Sequence, residues 1–354
     1  MFLLDLENPF ITTFYPEPEM FCGREEEIIR LITIARDNVN SILLGPARMG
    51  KTSLIHKAFS KLQAKDEFKC LYVDIHATED LKEFTKCLYE AILVIFPDKS
   101  PVNFDFTFAK QNEQLLLSLF DFLDKQNAKI LIAIDEFQQL VKYPEKNTIT
   151  ILRQATQKLK NVSFIFSCSN EYLLNDFFSD GKQLFFTNFD LLQLGGIKQN
   201  VYADFIQENF EKHNKEITEE AVNFILEWTR RHTYYTQSLC KRVFENEIKE
   251  IDIEHVHEEC GRILIENESN YFIYRNLLSP VQWLLIKAIA KEEKVYHPTA
   301  KQFLMQHNIG TPANVQRALE ALLSKEVVFA AHDENGRYYQ VFDVFLSRWL
   351  ESLD

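Results

Sequence analysis

The chain has 354 residues, of which 46% are hydrophobic, enough for two or three compact domains, and this composition excludes a disordered or fibrous protein. No apolar run approaches the ~18 residues of a membrane span, and the acidic N-terminus lacks the basic start of a secretory signal. The net charge of −13 excludes general attraction to nucleic acid or anionic lipid, and six scattered cysteines without a C-x-x-C pair indicate a reduced, cytoplasmic protein.

The first predicted element is an extended segment that turns at Gly23 and leads into a helix. Residues 20–27 read Met-Phe-Cys-Gly-Arg-Glu-Glu-Glu, and acids in the first turn of a helix suit its dipole. Taken by itself, this pattern is typical of a peripheral helix that caps a domain.

Short apolar runs alternate with helical patterns over the first two hundred residues. The runs are continuous and rich in β-branched or aromatic residues, as expected of strands buried on both faces of a parallel sheet. Helices are predicted between them, for example over 51–62 and 81–96. The fold class is therefore α/β with helices on both faces of the sheet. The predicted strands are 42–44, 70–73, 130–134, 162–166 and a fifth near 185–189.

The strongest local signal directly follows the first predicted strand and directly precedes a helix. It fits the phosphate-binding pattern G-x-x-x-x-G-K-[ST]. Its glycines let successive backbone N–H groups converge on phosphate oxygens, and the helix adds its positive dipole end. Lys51 is predicted to reach the β- and γ-phosphates of ATP, and Thr52 to bind Mg²⁺. The predicted nucleotide-binding residues are Gly45, Pro46, Ala47, Arg48, Met49, Gly50, Lys51, Thr52 and Ser53.

A second signal is the pair of carboxylates that ends the strand over 130–134. Asp135 and Glu136 would lie at the carboxyl edge of the sheet, where α/β proteins bind ligands. We expect Asp135 to hold the magnesium shell and Glu136 to polarise the attacking water as a general base.

The chain changes character after Gly195. Residues 199–270 show helical periodicity and no convincing strand, which predicts a small helical domain. Further on, helices over 281–291, 299–307 and 312–325 precede two apolar runs joined by Asn335-Gly336, a hairpin signal. Three helices and a hairpin are the order of a winged helix. The predicted domains are 1–194, 195–272 and 273–354.

These motifs together resemble the archaeal-type ATPase family, a STAND-like branch of the AAA+ P-loop ATPases related to the origin-recognition ATPases. The resemblance rests on the Gly-Arg-Glu box at residues 23–25, the P-loop, Ile-Asp-Glu-Phe at 134–137 and the winged-helix ending, and it covers nearly the whole chain. It implies that the protein binds ATP and uses the nucleotide as a switch, with slow hydrolysis.

The resemblance also implies roles for single residues. The N-terminal segment over 8–27 would cover the adenine, which places Phe21, Gly23 and Arg24 near the base. Ser169 would be the sensor that reads the γ-phosphate. The Gly-x-Pro turn that is common in the family's helical lid is replaced here by Arg-His-Thr-Tyr-Tyr at 231–235. Arg230 or Arg231 could take over the sensing role of this turn, but a solvated arginine at the helix end is the favoured expectation.

Three other functions compete with the nucleotide switch. The alternative function is a DNA-binding regulator. On its candidate recognition helix, residues 311–326, the acidic Glu320 and Glu326 offset the basic Arg317 and Lys325, so we expect DNA binding to be weak. An unidentified protein partner is favoured instead, and an oligomer is possible. A kinase that acts on a small molecule is disfavoured, because the helical lid and the winged helix leave no evident domain to bind the phosphate acceptor. The His and Glu residues over 255–260 do not share one helix face, which argues against a metal site.

Overall fold

The computed structural model describes residues 8–12, 21–98, 112–169 and 189–353. They form two compact units, which we call the sheet unit, Arg24–Leu194, and the helical unit, Met1–Gly23 with Gly195–Asp354. Among the described residues, no helix is both long and apolar enough to cross a membrane.

The sheet unit is built on five parallel strands in the order β2-β3-β4-β1-β5. The three strands β1, β3 and β4 are buried along their whole length, which explains why their sequences are continuously apolar instead of alternating. The α/β fold class is confirmed. The strands are β1 Ser41–Leu44, β2 Lys69–Asp74, β3 Ile130–Asp135, β4 Val162–Cys168 and β5 Asp190–Gln193.

The fifth strand lies later than predicted. We expected it near 185–189, of which 185–188 lie outside the described residues, and the structure forms β5 at Asp190–Gln193 beside β1. This edge strand buries only Leu192 deeply. Its short apolar stretch therefore gives a weaker sequence signal than the aromatic run before it.

Helices cover the sheet. One face of β3, with Ile130, Ile132 and Ile134, joins a continuous core with three helices and a 3-10 helix, whereas the alternate residues Leu131 and Ala133 point to the opposite face and are also buried. The helices of this unit are α1 Glu25–Arg36, α2 Lys51–Gln63, α3 Leu81–Ile95, α4 Asn112–Asp124, the 3-10 helix Phe137–Lys142 and α5 Thr148–Lys158.

The helical unit is mostly α, with one difference from expectation. Two very short strands, β6 Glu216–Ile217 and β7 Glu250–Ile251, pair in parallel within a region predicted to lack strands. Two-residue strands are too short to produce a periodic pattern. The helices are α6 Gln199–Lys212, α7 Glu219–Trp228, α8 Thr233–Glu245, α9 Ile253–Leu277, α10 Pro280–Glu292, α11 Lys301–His307, α12 Pro312–Ser324 and α13 Val344–Glu351.

The winged helix predicted at the end of the chain is present. The side chain of Thr311 accepts a hydrogen bond from the backbone N–H of Asn314 and caps α12, with Pro312 in its first turn. Strands β8 Val328–Asp333 and β9 Gly336–Val341 pair antiparallel around the predicted turn. The predicted boundary between residues 272 and 273 lies inside α9, so a single helix runs through both proposed domains.

Candidate functional site

The loop between β1 and α2 is a tight cradle. Gly45 lies against the backbone of Leu194, because a Cβ at Gly45 would stand 2.8 Å from the Leu194 carbonyl oxygen. Gly50 has a φ of +92°, which L side chains rarely adopt. Only glycine fits both positions, which explains the spacing of the motif. Within this loop Arg48 is exposed and Met49 is buried, while Pro46, Ala47 and Ser53 are half-buried.

Lys51 begins α2 and turns its amine into the loop. The side chain is buried, and Nζ donates hydrogen bonds to the carbonyl oxygens of Gly45 at 2.8 Å and Pro46 at 3.0 Å. The N-cap Gly50 provides no side chain to cap the first N–H groups of the helix. An ammonium group and helix-start amides therefore converge on one small volume, an arrangement that attracts anions.

Asp135 is the buried acid of the site, with 3% of its surface exposed. Its Oδ2 accepts hydrogen bonds from the hydroxyls of Thr52 at 2.7 Å and Tyr72 at 2.6 Å. Burial alone would raise the pKa of this carboxyl, but the hydrogen bonds and the charge of Lys51 outweigh it and leave the pKa below its usual value. Asp135 is therefore ionised at neutral pH.

Two further residues of the site, Tyr72 and His56, belong to no recognisable sequence motif. Tyr72 lies on β2, next to β3, and the His56 ring packs against it with ring centroids 4.6 Å apart. His56 lies one turn after Thr52 on α2, so helix geometry places both on the same face. Burial lowers the pKa of His56, and the nearby charge of Asp135 opposes this only in part.

Glu136 and Ser169 meet at the carboxyl edge of the sheet. Ser169 follows β4, and its hydroxyl donates a hydrogen bond of 2.8 Å to Oε2 of Glu136. Gln138, which the sequence did not single out, contacts both residues through its side-chain amide. The structure thus brings together the acid and the serine that were predicted for separate reasons.

The predicted adenine residues are divided between the two units. In the helical unit, a Cβ at Gly23 would stand 3.2 Å from Ile197, and Phe21 is half-buried. Arg24 begins the sheet unit, where its buried guanidinium pairs with Glu27 at 3.1 Å. Part of the predicted segment, residues 13–20, lies outside the described residues.

The expectation of a solvated arginine after the lid helix is wrong for Arg230. Its guanidinium is largely buried and donates to Ser347 at 3.0 Å and to Glu351 at 3.1 Å, both on α13. Arg348 on α13 in turn donates a hydrogen bond of 2.9 Å to the carbonyl of Trp228 at the end of α7. Burial beside Arg348 lowers the pKa of Arg230. These bonds link the end of α7 to the last helix of the winged helix.

The candidate recognition helix α12 presents few groups for DNA. Arg317 is exposed, but the Gln316 amide donates to Glu320 at 2.8 Å on the same helix. Elsewhere, His257 stacks on Phe224 at 4.2 Å and His255 completes the cap of α9. Across the described ranges, no cluster of three His, Cys, Asp or Glu residues could hold a metal ion.

Two family models match this chain. Residues 21–229 match an ATPase domain predominantly from Archaea, and residues 269–352 match a probable winged helix domain. Because the first match covers more than half of the sequence, the chain belongs to this family of ATPase domains, and the resemblance noted from its motifs is confirmed. The family implies nucleotide binding. Comparison with curated protein sequences gave no match.

Solved structures have a similar fold along nearly the whole length of this chain. The Walker-type ATPase of Pyrococcus abyssi has a TM-score of 0.70 at 17% identity, over 96% of this chain and 99% of that one. The ORC2 protein of Aeropyrum pernix, solved as ADPNP–ADP complexes, gives 0.63 at 15% identity, over 98% and 96%. The ORC1 protein of the same organism, solved in complex with DNA, gives 0.55 at 14%, over 97% and 96%. At these identities the likeness shows the fold alone.

Proposed function

We propose that this protein binds ATP with Mg²⁺ at the P-loop, hydrolyses it slowly, and uses the bound nucleotide as a switch. The observation that carries the proposal is the hydrogen bond of 2.7 Å between the Thr52 hydroxyl and Asp135, beside the glycine cradle and Lys51. A hydroxyl and an ionised carboxylate next to an anion-binding loop are the parts that Mg²⁺-dependent phosphoryl transfer requires.

The loop between β1 and α2 has groups that suit a nucleoside triphosphate. The amine of Lys51 now bonds two loop carbonyls, and these neutral acceptors can be exchanged for phosphate oxygens, which accept stronger, charge-assisted bonds. Backbone N–H groups of residues 47–52 would hold the β-phosphate, as they do in other glycine-rich loops. The side chains of Pro46, Ala47, Arg48 and Met49 play little part in this proposal, because the loop acts through its backbone.

The donor set at Thr52 and Asp135 fits Mg²⁺, which prefers oxygen ligands and keeps several waters. The ion would neutralise negative charge on the phosphates. Thr52 would offer its hydroxyl oxygen, and Asp135 would hold the ion's water shell with a carboxylate that Tyr72 orients from β2.

Glu136 is proposed as the general base and Ser169 as the sensor of the γ-phosphate. Their contact of 2.8 Å supports the pairing, because a sensor that touches the base can report the state of the site to it. Phe21, Gly23 and Arg24 are proposed to contact the adenine, an assignment that rests on the family resemblance.

The output would pass through the helical unit. Hydrogen bonds from Arg230 to Glu351 and from Arg348 to the Trp228 carbonyl connect the end of α7 to α13. A shift of α7 would therefore be transmitted to the winged helix. A protein partner is proposed to read this movement.

DNA binding is the second candidate, and the observation that favours it is the fold shared with an ORC1 protein solved on DNA. The charge balance opposes it. Residues 272–354 contain nine basic and nine acidic side chains, so the winged helix lacks the excess positive charge that phosphate contacts need.

Isothermal titration with ATP and Mg²⁺ tests the proposed site. Lys51→Ala should lose most of its affinity because it removes the only ammonium donor proposed for the phosphates. Lys61→Ala, at an exposed position on the same helix, is the matched control and should bind as the wild type does. Equal affinities for the two variants would refute the assignment.

A further inference from the structure

Gln138 is a buried polar residue next to the proposed base, and neither the motifs nor the family match assigns it a role. It lies in the first turn of the 3-10 helix Phe137–Lys142, with 5% of its surface exposed. A buried amide must find partners for its oxygen and its N–H groups, since leaving them unpaired is costly.

The amide satisfies these groups entirely with Glu136 and Ser169. Its Nε2 donates to Glu136 Oε2 and to the Ser169 hydroxyl oxygen, the latter at 2.6 Å. Its Oε1 accepts from the Ser169 backbone N–H at 3.3 Å. The Ser169 hydroxyl in turn donates to Glu136 Oε2 at 2.8 Å. We call this closed set of four hydrogen bonds the Gln138 ring.

The chemistry of the ring fixes the direction of every bond in it. A carboxylate only accepts hydrogen bonds, and a backbone N–H only donates them. If the Gln138 amide were flipped, its oxygen would face the Glu136 carboxylate and its NH₂ group would face the backbone N–H of Ser169. Both contacts would then be repulsive. The single hydroxyl proton of Ser169 goes to Glu136, because Gln138 already donates to the hydroxyl oxygen.

The backbone is bent to make the ring. Glu136 has a φ of +56°, a left-handed conformation that is costly for a residue with a side chain. This bend directly after β3 turns the chain back, which allows Gln138 to reach a carboxylate only two residues earlier. Strain of this kind persists where surrounding contacts hold it, as the ring does here.

We propose that Gln138 is a positioning residue that couples the base Glu136 to the sensor Ser169. The inference rests on the proposed function, because it assigns these two roles. A γ-phosphate oxygen that draws the Ser169 hydroxyl toward itself takes one donor away from Glu136. Of the side-chain donors to this carboxylate among the described residues, Gln138 then remains, and the carboxylate has electron pairs available to accept a proton from water. Gln138 thus keeps Glu136 in place while Ser169 changes partner.

The test compares two neighbouring glutamines. Gln138→Leu removes the amide while keeping a similar volume. Gln139→Leu is the matched control: its Nε2 donates to the Thr78 carbonyl at 2.9 Å and takes no part in the ring. We expect Gln138→Leu to lower kcat by about 10–100-fold, the cost of a misplaced catalytic group. The KM for ATP and its affinity by isothermal titration should stay within about twofold of the wild type, because the phosphate cradle is untouched.

A double-mutant cycle separates coupling from general damage. If both residues act through the ring, Gln138→Leu combined with Ser169→Ala should lose no more kcat than the worse single variant, whereas independent groups would multiply their losses. A parallel cycle on the midpoint of urea unfolding should show the same non-additivity without any need for turnover. A kcat for Gln138→Leu equal to that of Gln139→Leu, or losses that multiply, would overturn the inference.

The outcomes also separate this inference from the proposed function. Full turnover in Glu136→Gln, or none in the wild type, would refute the proposed chemistry and with it the coupling role of Gln138. The unfolding cycle would still show whether the ring exists. Loss of turnover in Glu136→Gln, with Gln138→Leu behaving as its control does, would refute the role of Gln138 alone.

Discussion

The hydroxyl of Thr52 donates a 2.7 Å hydrogen bond to Oδ2 of Asp135, a residue 83 positions later in the chain. Thr52 lies in the first turn of α2 and Asp135 at the end of β3, two strands away from β1 in the sheet. The contact joins two sequence motifs that were identified independently. In the proposed function, a hydrated cation would lie at this contact beside the P-loop.

Replacing Thr52 should therefore weaken binding in a way that depends on Mg²⁺. Thr52→Val keeps the volume but removes the hydroxyl, and we expect ATP affinity with Mg²⁺ to fall by ~10–100-fold, as for other groups that support a metal. With a chelator present, the variant and the wild type should differ little. Ser60→Ala, exposed on the same helix, is the control. An equal loss with and without Mg²⁺, measured by isothermal titration, would contradict the assignment.

Gly45 should be intolerant of any side chain for a reason of packing. A Cβ there would approach the Leu194 carbonyl oxygen to 2.8 Å and the Leu194 Cβ to 2.9 Å, so Gly45→Ala should cost about 1–3 kcal/mol, as overpacking does. In a domain of this size each kcal/mol lowers Tm by about 2–4 °C. A Cβ at Gly195 would meet nothing within 4 Å, and Gly195→Ala should melt as the wild type does. Calorimetry that ranks the two variants equally would refute this account.

Much of this site follows from local sequence patterns. Gly50 and Lys51 are set by the backbone of the loop between β1 and α2, and Asp135 by its place after a buried strand. Such short-range rules can be seen in one sequence. The strands β1, β3 and β4 were predictable for the same reason, because burial on both faces leaves a continuous apolar run.

The unpredicted features depend on contacts between distant residues. Tyr72 reaches Asp135 only because β2 and β3 are neighbours in the sheet. Gln138 meets Ser169, 31 residues later, because Ser169 follows β4, the neighbour of β3 in the sheet. Arg230 follows a helix end, where arginines are usually solvated, yet it is buried by α13 from the far end of the chain. Hydrophobic periodicity carries no information on such pairings.

His56 should make the sheet unit less stable in acid. Its folded-state pKa is lowered by burial, below the usual 6.5, so between these two values the unfolded chain binds more protons than the folded one and stability rises with pH. Acidification from about pH 7.5 to 5.5 should therefore lower Tm, and part of this drop should disappear in His56→Phe. His76→Gln, at an exposed position, should keep the full drop. Identical pH dependence of Tm in His56→Phe and the wild type would contradict the assignment.

Duplex DNA binding should be weak and steeply dependent on salt. The exposed Arg317 is the main basic group on α12, and the Gln316 amide is hydrogen-bonded to Glu320. The helix can therefore contact few phosphates and has little to offer a base edge. Log affinity falls with log salt at about 0.9 per phosphate contacted. Fluorescence anisotropy at two salt concentrations measures this. Nanomolar binding near 150 mM salt that Arg317→Ala abolishes would instead favour the DNA-binding regulator.

In the proposed function ATP is hydrolysed with Glu136 as the general base, and the rate of phosphate release under single-turnover conditions measures that role. Glu136→Gln keeps the size of the side chain and the P-loop intact, so it should bind ATP as the wild type does. Because a positioned base contributes ~10²–10⁴-fold, phosphate release should fall by that factor. Phosphate release by Glu136→Gln at the wild-type rate would show that Glu136 is not the base.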